Sequence, residues 1–376
     1  MTQRFYAFYF IILMGVLSGF TVRADVASNR KATDQFLQQI DKQRTTDPAA
    51  ALQAVQQFQT QHADMVEPRQ ADLTAEIATI YFENLKDTAK ALATLDAGIA
   101  KYKSPRGRLP LITQECIIIS KTKGQSAGIA YFKEELPQYL ADPNPNYFAQ
   151  TLPLYSWLVK TGGKPDDMVL VLRQAITVHP GLIENERVGA ALAENLLGVA
   201  GHEAEALGYA KLYWMTCNFD EKSINTGASI LQKVWMAKDL NAAQGNAFLK
   251  AMQDNSAANP LKEAAPATVD AAAIQNEWKV LPANADHERI TLLLLQGKYG
   301  DAMLVARRML LDNPTGDTSN GALEIARVFK AADLNLVQAN AFLKYFKDGQ
   351  GDNPLDAFFK QYPAGTASQT APVATK

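Results

Sequence analysis

Gly124-Gln125-Ser126-Ala127-Gly128 satisfies the G-x-S-x-G spacing, in which a serine on a sharp strand-to-helix turn becomes an acyl-transfer nucleophile. The apolar Ile117-Ile118-Ile119 precedes it and a helical pattern follows, while His179, His202 and His287 lie downstream as candidate bases. Such an elbow needs a sheet of several strands to project its serine. The chain offers no other convincing strand and no HGGG-like stretch for an oxyanion hole. Lys123-Gly124-Gln125-Ser126 also stands where Lys86-Asp87-Thr88 stands in the preceding helical pair. Ser126 therefore reads as a helix N-cap and Gly124 as turn punctuation. A serine hydrolase using Ser126 is kept as an alternative of a different functional class.

Metal chemistry finds less to work with. Gly201-His202-Glu203 would begin a zinc-protease helix, but the position for the second histidine is Ala206. His62, His179, His202 and His287 all lie further than four residues from one another, so no histidine pair shares a helix face. Asp348-Gly349-Gln350-Gly351-Asp352 resembles part of a calcium loop without its later bidentate glutamate, and a polar turn accounts for it. No catalytic, cofactor-binding or metal-binding residue is assigned, and no cofactor is expected. Tyr209, Tyr213 and Trp214, with Tyr147, Phe148, Tyr155 and Trp157, could form a sugar- or peptide-stacking strip, but stacked helices must bury such residues.

The elements that would position any site are organised around a duplication. Asp239-Leu240-Asn241, Gln244, Asn246-Ala247-Phe248-Leu249-Lys250 and Asn259-Pro260-Leu261 recur as Asp333-Leu334-Asn335, Gln338, Asn340-Ala341-Phe342-Leu343-Lys344 and Asn353-Pro354-Leu355, at a constant offset of 94 residues. A gapless match of that length is duplication of a helical unit. Asn241 and Asn335 read as N-caps with a glutamine three positions on. Phe248, Leu249 and Met252, and likewise Phe342, Leu343 and Phe346, have the spacing of one buried helix face. Each Asn-Pro then caps a following helix whose first N–H needs no partner. Asn246 and Asn340 could line a groove and bind a peptide backbone, or tie a loop carbonyl.

A chain of 376 residues with 47% hydrophobic content and a net charge of −2 folds, but as several domains or an extended array. The charge balance gives no footprint for nucleic acid. Residues 1–24 read as a signal peptide: Arg4, an apolar run from Phe5 to Phe20, then Val22-Arg23-Ala24 before the cleavage point. An uncleaved anchor is the alternative, and membrane contact is expected only through it. Cys116 and Cys217 sit in separate apolar helical stretches and are expected as two buried thiols.

After a polar stretch from Asp25 to Lys31, the periodicity predicts helical pairs from Thr33 onward. The organisation expected is a helical-repeat array over 25–260, a linker or irregular segment over 261–273, further helical pairs over 274–363 and a disordered tail over 364–376. The fourth pair runs from Tyr147 to Val159 and from Asp166 to Val178, across Gly162-Gly163-Lys164-Pro165.

Gly297, Tyr299, Ala302, Leu310 and Pro314 fall where a tetratricopeptide repeat places its turn glycine, its aromatic, its small alanine, a core residue and its closing proline. Gly201 and Ala206 match the same turn and alanine one block earlier. The segment resembles the second half of such a repeat, although Asp286 and Ile290 stand where the family has a bulky aromatic and a small residue. The resemblance implies an all-α, right-handed α-solenoid of about eight antiparallel hairpins. Together with the leader read in residues 1–24, the expectation is an exported, periplasmic or secreted, non-enzymatic scaffold whose concave face binds a protein or peptide. An envelope-assembly or polymer-export accessory of the same fold is the runner-up.

Overall fold

The computed structural model describes residues 24–142, 144–237, 242–254, 258–312, 319–349 and 353–365. Among these the regular elements are all helical, with no strand. The chain divides into two compact units, Met1–Gly163 and Lys164–Lys376. The division falls inside the expected fourth pair, at Gly162-Gly163. The expected leader, Asn241, Pro314 and most of the tail lie outside the described residues.

The first unit contains α1 (Ala24–Thr46), α2 (Pro48–Gln61), α3 (Glu67–Thr79), α4 (Thr88–Lys101), α5 (Pro105–Lys123), α6 (Gln125–Leu140) and α7 (Asn146–Gly162). The polar stretch Asp25 to Lys31, placed before the first helical pair by the sequence, is part of α1. Start signals sit where the sequence writes them. Asp47 accepts the Ala50 N–H before a first-turn Pro48, and Asp87 accepts the Lys90 N–H at the start of α4. Consecutive helices pack on each other, and α3 also packs on α5, and α5 on α7. Two buried clusters run along this stack, one around Ile40, Val55, Leu73 and Ile80, the next around Ala71, Ala91, Leu95 and Ile118. A π-turn, Ile80–Asn84, ends α3 and places an extra residue in its last turn.

The second unit contains α8 (Pro165–Val178), α9 (Ala191–Leu196), α10 (Glu203–Thr216), α11 (Glu221–Met236), α12 (Ala242–Gln253), α13 (Ala271–Val280), α14 (Asp286–Leu295), α15 (Tyr299–Asp312), α16 (Ser319–Asp333), α17 (Val337–Asp348) and α18 (Pro354–Gln361). Consecutive helices again pack pairwise, except that α12 meets the 3-10 turn Pro260–Lys262 and not α13, and α14 and α16 also return onto α10. Neighbour-to-neighbour packing is therefore supplemented here by closure on α10. Residues 263–270, within the segment expected to be irregular, are not helical, and they are tied to α10 by Lys211, whose ammonium donates to the Ala264 carbonyl at 2.6 Å.

The duplicated sequence makes duplicated contacts. Trp235 and Phe248 lie with ring centroids 5.1 Å apart, and their counterparts Phe329 and Phe342 lie 5.9 Å apart. Gly227 and Gly321 occupy equivalent close approaches. A Cβ on Gly227 would come within 2.9 Å of the Trp214 ring, and one on Gly321 within 2.6 Å of the Leu310 Cα. The turn glycines Gly201 and Gly297 both adopt left-handed φ, +84° and +68°, and Ala206 and Ala302 are both fully buried. Asn259 and Asn353 each cap the N–H two residues on, with proline next, although after Pro260 only a single 3-10 turn follows. Asn335 accepts from Val337 N at 3.0 Å, one position before the helix's formal N-cap at Leu336.

Of the expected buried faces, Phe248, Met252 and Phe342 are buried and Leu249 and Leu343 half-buried, whereas Phe346 is 41% exposed. The Met252 carbonyl accepts the Leu336 N–H of the second copy at 3.0 Å, which ties the two copies together.

The two glycines differ in what opposes a methyl group. At Gly321 the obstacle is backbone, so Gly321→Ala is expected to destabilise by about 1–3 kcal/mol. Urea denaturation checks this, and an unchanged midpoint would contradict the close packing of α15 on α16.

Candidate functional site

Ser126 lies in the first turn of α6, exposed to solvent, and its hydroxyl forms no hydrogen bond among the described residues. The cap expected there is instead Gly124, at φ +93°, whose carbonyl accepts the N–H groups of Ala127 and Gly128. The extended, left-handed turn does the work the serine side chain was expected to do. Ser126→Ala is accordingly expected to shift stability by less than about 0.5 kcal/mol and to leave any ester hydrolysis by the preparation unchanged. A loss of turnover in an activated-ester assay would revive the hydrolase alternative.

The other sequence candidates are dispersed. His62 packs at a tilt against Phe58 with ring centroids 4.3 Å apart, and His179 is the buried C-cap of α8. His202 contacts Glu205 at 2.8 Å beside Arg173. Among the described residues no group of three or more His, Cys, Asp or Glu side chains converges as metal ligands. Cys116 and Cys217 are both buried free thiols. Phe148, Tyr155, Tyr213 and Trp214 are all buried, so these four serve packing and not a surface strip. Asn246 and Asn340 are exposed on α12 and α17.

His287 alone sits in a constellation, and sequence reasoning had not found its partners. Its Nδ1 lies 2.6 Å from Glu324 Oε1 and its Nε2 lies 3.2 Å from Glu184 Oε1. With both ring nitrogens facing carboxylates the imidazole is a cation, and Glu184 raises its pKa to about 10 against the effect of burial. Arg327, fully buried on α16, donates to Glu184 at 2.7 Å, to Glu324 at 3.0 Å and through Nε to the Thr216 carbonyl at 2.8 Å. Thr291 bridges Arg327 and Glu184. Burial opposes ionisation of Glu184, but His287 and Arg327 outweigh it and hold it down at about 2.

One turn along α16, Lys330 is also fully buried. Its ammonium donates to the Cys217 carbonyl at 2.7 Å and lies 5.4 Å from the centre of the Trp214 ring. The two cations thus occupy the C-terminal carbonyls of α10, where the helix dipole favours positive charge. The arrangement holds charge in place: His287 is occupied on both nitrogens, so it has neither a lone pair for a metal nor a free site to accept a proton. What the network does is fasten the 3-10 turn Pro180–Glu184 and the helices α10, α14 and α16 to one another.

Two clefts lie in the first unit, on the two sides of α4. A cleft of about 470 Å3 lies between α2 and α4, lined by Gln59, Thr74, Tyr81, Lys90, Ala97 and Lys101 among others. A second, of about 370 Å3, lies between α4 and α6 and is lined by Asp96, Lys103, Arg108, Glu115, Tyr131 and Glu135. In the latter the Tyr131 hydroxyl donates to Glu115 at 2.8 Å, and partial burial raises the Glu115 pKa. Neither cleft was legible as such, because each is assembled from residues on three separate helices.

Buried ionisable groups set a pH profile. Burial pushes Asp72 up to about 6, and Glu76 and Glu277 up to about 7. Acids raised in the folded state favour folding most at low pH and lose that contribution as pH rises through those values. His287 contributes fully below its unfolded value of 6.5 and loses its contribution as pH rises through about 10. Glu184 contributes above 4.5 and loses its contribution only as pH falls through about 2. The urea midpoint is therefore expected to be higher at about pH 5 than at pH 9, by about 2 kcal/mol of stability or more. A higher midpoint at pH 9 would contradict these assignments.

No protein-family model, curated protein or solved structure matches the chain. No described helix is long and apolar enough to cross a membrane.

Proposed function

We propose that this chain is an exported helical-repeat scaffold of tetratricopeptide-like hairpins that binds an extended peptide or a partner protein and carries out no chemistry of its own. The observation that carries the reading is the repetition of contacts: Trp235 on Phe248 and Phe329 on Phe342, with Gly227 and Gly321 at matching close approaches. Repeated helical hairpins held by repeated contacts build a stiff surface, and a stiff surface binds with little rearrangement. The turn glycines and buried alanines that Gly201, Ala206, Gly297 and Ala302 supply are the positions where the resemblance to the tetratricopeptide family is carried. Export rests on the composition of residues 1–24 alone. An accessory role in envelope assembly or polymer export is the same fold put to a narrower use.

Photocrosslinking in the cells that produce the protein tests this reading. A benzophenone side chain placed in turn at the exposed Ala97, Asn246 and Asn340 is expected to give a discrete protein adduct from at least one of these positions. No adduct from any of the three would count against a binding scaffold.

A further inference from the structure

We propose that the two clefts beside α4 form one charge-patterned groove for an extended peptide that carries an acidic stretch next to a basic stretch. The inference rests on the scaffold reading and names the chemistry of its partner. The cleft between α2 and α4 has Lys90 and Lys101 in its lining and no carboxylate. The cleft between α4 and α6 has three carboxylates, Asp96, Glu115 and Glu135, against two cations, Lys103 and Arg108. Arg108 pairs with Glu135 at 3.4 Å, the Lys103 ammonium donates to the Ala100 carbonyl at 2.9 Å, and Glu115 is buried and accepts the Tyr131 hydroxyl, so Asp96 is the carboxylate this cleft leaves open. Asp96 is exposed and has no ion-pair partner among the described residues.

The opposite signs follow from helix periodicity. Ala93, Ala97 and Lys101 recur at every fourth residue of α4 and line the first cleft, while Asp96, Ile99 and Ala100 turn toward the second. Tyr102, at the end of α4, lines both clefts, which places them side by side there, and its hydroxyl is fixed 3.2 Å from Thr74 Oγ1. Both lysines are held over the first cleft by aromatic faces, Lys90 5.8 Å from the Tyr81 ring centre and Lys101 5.2 Å from that of Tyr102. Lys90 also pairs with Asp87 at 2.9 Å, which leaves Lys101 as the stronger anchor. A chain of one sign of charge would meet repulsion in one of the two clefts. A chain with adjacent blocks of opposite sign would meet complementary charge in both, and charge complementarity of this kind selects partner and register.

Fluorescence anisotropy of the full chain with labelled synthetic peptides is the test. The probes are a peptide of a glutamate block joined to a lysine block, and a peptide of the same composition with the charges alternating. The block peptide is expected to bind about tenfold more tightly than the alternating one, and Lys90→Glu/Lys101→Glu to weaken it about tenfold, with Lys101→Gln giving a smaller loss. Lys90 is 66% exposed at its side chain and Lys101 is exposed, so both variants should fold, which a circular-dichroism melt verifies. Equal binding of the two peptides, no binding of either, or an unchanged affinity in the double variant would overturn the proposal. A failure here with a discrete crosslink at Asn246 or Asn340 would remove the groove and leave the scaffold reading standing; failure of both would remove both.

Discussion

Phe248→Ala and Phe342→Ala are each expected to destabilise the protein by roughly 3–5 kcal/mol, the sum of lost burial and an unfilled cavity. Both rings are buried at equivalent points of α12 and α17. Phe248 fits edge-on to Trp214, with ring centroids 5.4 Å apart, and also contacts Trp235. Phe342 touches Phe329 and the half-exposed Phe346, so its cavity opens more readily to relaxation and its cost should lie nearer the lower figure. Urea titration measures both. A cost below about 1 kcal/mol at both positions would mean that the duplicated rings pack loosely and that the repeat is a surface signature.

Arg327→Met is expected to cost a comparable amount, about 3–5 kcal/mol, because removing one member of a buried ion network leaves its partners uncompensated. Glu184 would keep only His287 and Thr291, Glu324 only His287, and the Thr216 carbonyl would lose the guanidinium donor. Arg327→Lys keeps the charge but not the three-way fork, so an intermediate loss is expected. Pairing Arg327→Met with Glu184→Gln should cost less than the two single changes added together, since each single change strands a charge that the double change removes. Strict additivity would show that the network is not coupled.

Much of the fold is written locally. Asp87, Asn353 before Pro354 and the turn glycines Gly201 and Gly297 mark helix ends by short-range chemistry, and the structure places those ends there. The π-turns at Ile80–Asn84 and Glu186–Ala190 are not legible, because one inserted residue leaves the apolar spacing nearly unchanged. Ser126 was misassigned for a related reason: Gly124 in a left-handed conformation replaces a side-chain cap, and two positions separate the alternatives. Asp25 to Lys31 joins α1 although its polar composition carries no apolar face of its own.

The charged network is not legible in the sequence because Arg and Lys on a helix are ordinarily solvated. Yet every residue from Ile325 to Ala331 is buried, so α16 is enclosed on every side over that stretch, and charges inside such a helix have to be buried with partners. Those partners, Glu184 and His287, lie 143 and 40 residues away in the chain, which no local pattern conveys. The clefts beside α4 were out of reach for the same reason.

The central claim is that the chain is built of helical units held by repeated local contacts, in two separately compact bodies. Hydrogen exchange on Phe342→Ala tests it most directly. Amides of α16, α17 and α18 should lose protection first, with α10 following because α16 packs on it, while amides of α1 to α7 keep the protection they have in the wild type. Uniform loss of protection from α1 to α18 would contradict the account and mean a single cooperative core.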